Sequence, residues 1–249
     1  MTFQAESTRR QILSMKRAVI LAGGRGTRLR PYTISLPKPL MPIGDSPILE
    51  IIVRQLAKQG FEHITLAVNH QADLMRAYFG DGSKWQVKID YSLEDKPLST
   101  VGPLKLIGDL PDHFLVMNGD LLTDLLFSDY LAKHEREDRL FTVFASPREQ
   151  KIDYGVLVLD EQKRLIKFEE KPSTAYFVSM GIYCVSKRIL DWIPDGQPYG
   201  FDQLLLALLA KNEPIAVEPH NGYWLDIGRP GDYEQAIDDW STLSGRINL

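Results

Sequence analysis

The chain has 249 residues, 44% of them hydrophobic and 25% charged, and its 29 Lys+Arg stand against 33 Asp+Glu for a net charge of −4. That length and mix exclude a mainly disordered, collagenous or disulfide-scaffold chain and leave one large domain or two small ones. The single cysteine, Cys184, excludes an intrachain disulfide and a cysteine-based zinc site, and it points to a reducing compartment, most simply the cytoplasm.

The acidic balance argues against a nucleic-acid partner. No apolar run approaches the ~20 residues of a membrane span, so no membrane partner is expected. Met1 to Ser14 lacks the apolar stretch of a secretory leader and reads as a polar tail over residues 1–15.

Ala18 to Ala22 is a short continuous apolar run ended by Gly23-Gly24, the pattern of a strand buried on both faces. A polar, Gly/Pro-rich stretch runs from there to Pro47. Ile48, Ile52 and Leu56 then recur at helical spacing between Pro47 and Gly60, with Gly60 as the cap. A strand over His63 to Val68, a helix over Gln71 to Phe79 and a strand over Trp85 to Tyr91 follow. Next come a short helix over Leu104 to Asp109, a strand over Phe114 to Met117, a charged helix over Ser128 to Glu137 and a strand over Leu140 to Ala145.

This alternation predicts an α/β fold with a mostly parallel sheet and helices on both faces. Beyond residue 145 the pattern changes. Val156 to Leu159, Leu165 to Phe168 and Phe177 to Val185 read as strands of a mixed extension. A Leu-rich helix over Phe201 to Lys211, short strands over Ile215 to Val217 and Tyr223 to Ile227, and a closing helix over Asp232 to Trp240 complete the chain. The run Leu204 to Ala210 is apolar all round, so it is core or a subunit interface, and a homo-oligomer is an open expectation. There is no internal repeat and no hexapeptide array of a C-terminal β-helix. One continuous domain over 16–243 is expected.

The most informative segment is Leu21-Ala22-Gly23-Gly24-Arg25-Gly26-Thr27-Arg28-Leu29, followed eight residues on by Pro37-Lys38-Pro39-Leu40. Glycines directly after a buried strand let the backbone approach a ligand and aim N–H groups at it. The arginines and Lys38 add positive charge, so the loop suits a polyphosphate. No Walker A sequence is present. The dinucleotide fingerprint fails because Leu29 stands at the third glycine and Pro31 breaks any helix start.

The combination Gly-Gly-x-Gly-Thr-Arg-Leu with Pro-Lys-Pro-Leu resembles the nucleoside-diphosphate-sugar pyrophosphorylases, the sugar-1-phosphate nucleotidyltransferases, from about Lys16 to Trp240. The resemblance implies a Rossmann-like nucleotide-binding part (about 16–145) and a smaller mixed-sheet sugar-binding lobe (about 146–243). It implies that the loop residues Leu21, Ala22, Gly23, Gly24, Gly26 and Thr27 hold the nucleotide. Arg28 would bind the triphosphate and stabilise the transition state, and Lys38 would bind phosphate oxygens at the reaction centre.

Asp120 follows an apolar strand through Asn118-Gly119, a placement that can reach a metal on a phosphate, and Mg²⁺ prefers one or two carboxylates plus phosphate and water oxygens. By the resemblance Asp120 is a catalytic metal ligand, Gly119 touches the nucleotide, and Asp226 in Trp224-Leu225-Asp226-Ile227-Gly228 is the second metal ligand. Phe168-Glu169-Glu170-Lys171-Pro172 carries a carboxylate for sugar hydroxyls and a lysine for a phosphate. The resemblance assigns Glu170 and Lys171 those roles, and adds Tyr154, Gly155 and Gly181 to the sugar-phosphate site. Ser179-Met180 stands before Gly181 where the family has an Asn-Ala or similar pair.

Glu94-Asp95-Lys96-Pro97-Leu98-Ser99-Thr100-Val101-Gly102-Pro103 resembles the base-reading loop, with Glu94, Ser99 and Thr100 on the nucleotide and Ser99 replacing a glycine. This version is most similar to members that use GTP with mannose- or heptose-1-phosphate. Uridylyl, thymidylyl and cytidylyl transfer, a non-sugar phosphate such as phosphocholine, and a non-catalytic nucleotide-sugar-binding subunit stay open. The implied partners are an NTP, best read as GTP, and a sugar-1-phosphate, with Mg²⁺ as cofactor and a nucleotide sugar for a glycan as product. His70 and His134 read as surface residues, and Cys184 as an inert thiol in a buried strand.

Overall fold

The computed structural model describes residues 15–24, 26–69 and 72–247. The tail up to Ser14, His70 and the start expected at Gln71 for the second helix lie outside the described residues. In chain order the strands are β1 (Lys16–Leu21), β2 (Pro42–Ile43), β3 (Ser46–Pro47), β4 (Phe61–Val68), β5 (Lys88–Leu93), β6 (His113–Asn118), β7 (Leu121–Thr123), β8 (Phe141–Lys151), β9 (Val156–Leu159), β10 (Leu165–Glu169), β11 (Ser173–Ser186), β12 (Ile215–Pro219) and β13 (Trp224–Asp226). The α-helices are α1 (Ile48–Lys58), α2 (Ala72–Phe79), α3 (Phe127–Arg136), α4 (Phe201–Ala210) and α5 (Pro230–Leu243).

Seven strands form one sheet in the order β12-β8-β11-β6-β1-β4-β5. β1 pairs in parallel with both β4 and β6, and β5 extends the parallel block beside β4. β11 runs antiparallel between β6 and β8, and β12 lies parallel to β8. Strands from beyond residue 145 therefore complete the sheet that the glycine loop leaves. Small two-stranded sheets join β9 to β10, β7 to β13 and β2 to β3.

Side-chain alternation sends each central strand into two cores. Ile20, Leu115, Met117, Ile182 and Cys184 pack on one face with α1 and α3 residues such as Ile52, Leu56 and Leu131. Val19, Val116, Tyr183 and Val185 pack on the other with Leu204 and Leu208 of α4. Central strands buried on both faces need the continuous apolar runs that they carry. α4 divides in the same way, because Leu204 and Leu208 are buried while Leu206 and Leu209 are exposed.

Two expectations are corrected. The strand expected over Trp85 to Tyr91 starts at Lys88, because Gly82 and Gln86 both take left-handed backbone and wrap a 3₁₀ turn over Ser83–Trp85. His134 is not a surface residue. Phe127, Leu131 and His134 form the inward stripe of α3 and are fully buried. The His134 Nδ1 lies 2.8 Å from Thr142 Oγ1, and its Nε2 is buried without a hydrogen-bond partner among the described residues.

Burial, reinforced by the charges of His113, Arg139 and Arg188, pulls the His134 pKa down to about 3. The unfolded imidazole titrates near 6.5, so protonation favours the unfolded chain as pH falls from that value toward 3. At pH 5 this costs about 2 kcal/mol relative to neutral pH. Urea unfolding at pH 7.5 and 5.0 is expected to show His134→Gln losing about that much less than the parent on acidification. Equal losses would remove His134 from the acid sensitivity.

Candidate active site

A cavity of about 340 Å³ opens where β1, β4, β5 and β6 end. That is the edge at which open parallel sheets bind ligands. Leu21 to Gly24 line it from β1, Asn69 from β4, Glu94 from β5, and Asn118, Gly119 and Asp120 from β6. Lys38, Ser99 and Thr100 close it from the loops. Of the residues expected at the nucleotide, Leu21, Ala22, Gly23, Gly24, Lys38, Glu94, Ser99, Thr100 and Gly119 thus share one cavity with Asp120.

Hydrogen bonds set its walls. Ala22 N donates to Ala67 O at 2.9 Å and Gly119 N to Leu21 O at 3.0 Å, which locks the glycine loop to both neighbouring strand ends. The Asn69 side-chain amide donates to the Gly23 carbonyl. Thr33 Oγ1 donates to Gly26 O at 2.7 Å, and the turn Thr27–Leu29 is anchored by the buried Leu29. Gly26, Thr27 and Arg28 lie beyond the residues that line the cavity, and Thr27 and Arg28 are exposed.

The loop over residues 94–103 is tied at both ends. Leu98 N donates to Glu94 Oε2 at 2.9 Å, and Phe201 N to Thr100 Oγ1 at 3.1 Å. Burial raises the Glu94 pKa, partly offset by the Leu98 amide. Ser99 sits at φ 66°, a left-handed conformation that a glycine adopts without strain.

Charge concentrates beside the glycine loop. Lys38, buried, pairs through its ammonium with Asp120 Oδ2, and Asp120 Oδ1 is buried without a hydrogen-bond partner among the described residues. β13 pairs antiparallel with β7, setting Asp226 opposite Leu121, and Ile227 N donates to Asp120 O at 3.0 Å. Both acids therefore sit at one end of one ribbon. The Asp226 pKa is raised, first by burial and then by the Asp120 charge, against lowering by Lys38 and Arg28. An orphaned carboxylate oxygen beside a second carboxylate with raised affinity for a proton fits a divalent cation.

His63, Asp90 and Asp109 also bring potential ligand atoms together. Arg17 occupies the place of a cation there, 3.5 Å from Asp90 and 3.0 Å from Asp109, so the Asp120–Asp226 pair is the better candidate to hold a metal.

The residues expected at the sugar are not brought to the cavity. Tyr154 is 79% exposed. Gly155 packs so closely on the Phe168 ring that a Cβ there would lie 2.6 Å from it and 3.3 Å from Glu170 Oε2. Glu170 and Lys171 follow on the exposed turn after β10. Tyr154, Gly155 and Glu170 thus gather on the β9–β10 arm. Gly181, at φ 70°, brings β11 against Asn118, where a Cβ would stand 2.5 Å from the amide nitrogen.

Asn69 and Asn118 were missed as cavity residues, and so were Pro39, Ala67, Pro97 and Pro103. The two asparagines had a readable signal, since each closes a parallel strand at its carboxyl end.

Residues 17–242 match the nucleotidyl transferase family. A Synechocystis protein named UTP–glucose-1-phosphate uridylyltransferase is 34% identical over 241 residues, covering 89% of this chain and 62% of the relative. The mannose-1-phosphate guanylyltransferase catalytic subunit beta of Dictyostelium discoideum is 34% identical over 224 residues, covering 87% and 62%. The chain therefore spans about 62% of the length of these relatives. HddC from Yersinia pseudotuberculosis, solved in complex with GMP-PN, superposes with a TM-score of 0.69 at 27% identity, covering 91% of this chain and all of HddC. A putative glucose-1-phosphate thymidylyltransferase from Bacillus anthracis shares the fold alone, with a TM-score of 0.70 at 22% identity over 90% of this chain and 94% of that one. No helix among the described residues is long and apolar enough to cross a membrane. With a family match over nearly the whole chain, the chain belongs to the nucleotidyl transferase family.

Proposed function

We propose that this protein transfers a nucleoside monophosphate from an NTP, best read as GTP, to a sugar-1-phosphate of the mannose or heptose type. The observation that carries this reading is the shared end of the β7–β13 ribbon, which gathers Asp120, Asp226 and Lys38 at the mouth of the glycine loop. A phosphate oxygen of the sugar-1-phosphate attacks the α-phosphorus of the NTP. The α–β phosphoanhydride bond breaks and pyrophosphate leaves with the electron pair. The nucleophile is already an anion, so no general base is required, and catalysis is positioning plus charge neutralisation.

Asp120 and Asp226 hold the divalent cation, read as Mg²⁺, which neutralises phosphate charge when bound. Lys38 and Arg28 neutralise the rest, and the amides of Gly23 and Gly24 meet the triphosphate. Tyr154, Gly155, Glu170, Lys171 and Gly181 serve the sugar phosphate. All four charged residues of the centre are present, which favours an enzyme over a nucleotide-sugar-binding subunit.

Glu94 supports the choice of base. Guanine presents two donors on one edge, N1–H and N2–H, and a carboxylate accepts both. Glu94 is such an acceptor at the end of β5, with Oε2 fixed by the Leu98 amide. The guanylyltransferase relatives and the GMP-PN complex of HddC point the same way. The uridylyltransferase relative keeps UTP as the second reading, because uracil offers one N3–H donor to the same carboxylate.

The test is pyrophosphate release with GTP, dTTP, UTP, CTP and ATP crossed against mannose-, glucose-, N-acetylglucosamine- and heptose-1-phosphates. Release is expected with GTP and a mannose or heptose phosphate. Glu94→Gln is expected to lower kcat/KM for GTP about 10²-fold and to narrow its lead over ATP, since losing a paired charged hydrogen bond costs about 2–3 kcal/mol. An unchanged base preference in that variant removes Glu94 from base reading.

A further inference from the structure

We infer that Asp124 is a positioning residue that sets the two acids of the metal centre by clamping the far end of the ribbon that carries them. The inference rests on the reading of Asp120 and Asp226 as the cation pair. β7 and β13 contribute three residues each, too few to hold a register by their own ladder. One end is pinned at the acids by Ile227 N donating to Asp120 O. The other end is pinned by Asp124.

Asp124 lies four residues from Asp120, roughly 13 Å along an extended strand, so it acts through the ribbon rather than at the reacting atoms. Its side chain is 13% exposed and faces three donors. Oδ1 accepts from Tyr223 N at 2.8 Å and lies 2.9 Å from His220 Nε2. Oδ2 accepts from Arg246 at 2.6 Å. Its own N–H donates to Tyr223 O at 3.2 Å, and Thr123 Oγ1 donates to the same carbonyl at 2.9 Å.

Two distant segments therefore meet on the carboxylate that follows β7: the turn that launches β13 and the chain after α5. The turn passes so close that a Cβ on Gly222 would stand 2.3 Å from Asp124 Oδ1, so the residue there has to be glycine for the clamp to close. Gln55 of α1 steadies the same strand end by donating to Thr123 O at 2.9 Å. Outer-shell residues hydrogen-bonded to metal ligands typically cost 10–100-fold in metal affinity when removed, and Asp124, which touches neither acid, falls at the low end of that range.

The test titrates Mn²⁺ into the full chain saturated with a non-hydrolysable GTP analogue, with free Mn²⁺ read by electron paramagnetic resonance. Asp124→Ala is expected to weaken Mn²⁺ binding about 10-fold. Analogue affinity measured without metal should stay unchanged, because the glycine loop is anchored to β1, β4 and β6 rather than to this clamp. Asp124→Asn should recover much of the loss, since its amide oxygen still accepts from Tyr223 N.

Parent-like Mn²⁺ affinity in Asp124→Ala, with Asp120→Asn and Asp226→Asn impaired, would overturn the inference and leave the metal centre standing. Parent-like affinity in Asp120→Asn and Asp226→Asn would overturn the metal centre and the inference with it. A parallel loss of Mn²⁺ and metal-free analogue binding in Asp124→Ala would show general loosening and also overturn it. Should Asp124→Ala fail to fold, Gly222→Ala carries the test by pushing the carboxylate off its partners. Weakened Mn²⁺ binding there supports the clamp, and unchanged binding refutes it.

Discussion

Asp120→Asn is expected to cut turnover about 10³-fold while leaving the fold intact. The substitution is isosteric and keeps an oxygen for Lys38, so little packing changes. What it removes is the charge of a carboxylate whose Oδ1 is buried and unpartnered among the described residues. A divalent cation held by Asp120 and Asp226 would supply several kcal/mol of charge stabilisation to the phosphates, and each 1.36 kcal/mol is tenfold in rate. The loss should appear in kcat and in the Mg²⁺ concentration needed for half-maximal rate. Metal-free nucleotide binding should hold or tighten, because Lys38 is released from a full negative partner. Steady-state kinetics over a Mg²⁺ series beside calorimetric nucleotide titration checks this, and near-parent activity would remove Asp120 from the centre.

Lys38→Ala is expected to lower kcat by about 10²–10³-fold and to weaken nucleotide binding as well. The ammonium is buried at the cavity wall, where a preorganised charge aimed at phosphate oxygens acts in a low dielectric. Its removal also leaves Arg28 alone to offset the two acids, so the repulsion that already raises the Asp226 pKa grows. Lys38→Arg keeps the charge but not its compact geometry, so it should recover binding more than rate. Calorimetry and single-turnover rates separate the two, and a Lys38→Ala variant with parent kcat would contradict the assignment.

The parallel block was legible because its strands are buried on both faces and their apolar runs are continuous, as in Ala18 to Ile20 and Phe114 to Met117. The glycine loop was legible because a strand followed by glycines and cations has few other uses. β7 was not, since Leu121–Thr123 is too short for any period, and its partner β13 lies about a hundred residues on. Without that ribbon the nearness of Asp120 and Asp226 was known only through resemblance. His134 was misplaced because the charge of its neighbours hid the stripe Phe127, Leu131, His134, which recurs at helical spacing. The left-handed backbone of Ser99 was signalled only by its standing where relatives of the resemblance carry glycine.

The most direct measurement of the central claim is phosphorus NMR of the protein with GTP, Mg²⁺ and mannose-1-phosphate. The account predicts the paired signals of a sugar diphosphonucleoside growing at the same rate as pyrophosphate, while GTP and the sugar phosphate decline one for one. Were GTP to lose pyrophosphate or phosphate with no sugar nucleotide formed from any base and sugar phosphate of the panel, nucleotidyl transfer to a sugar-1-phosphate would be contradicted.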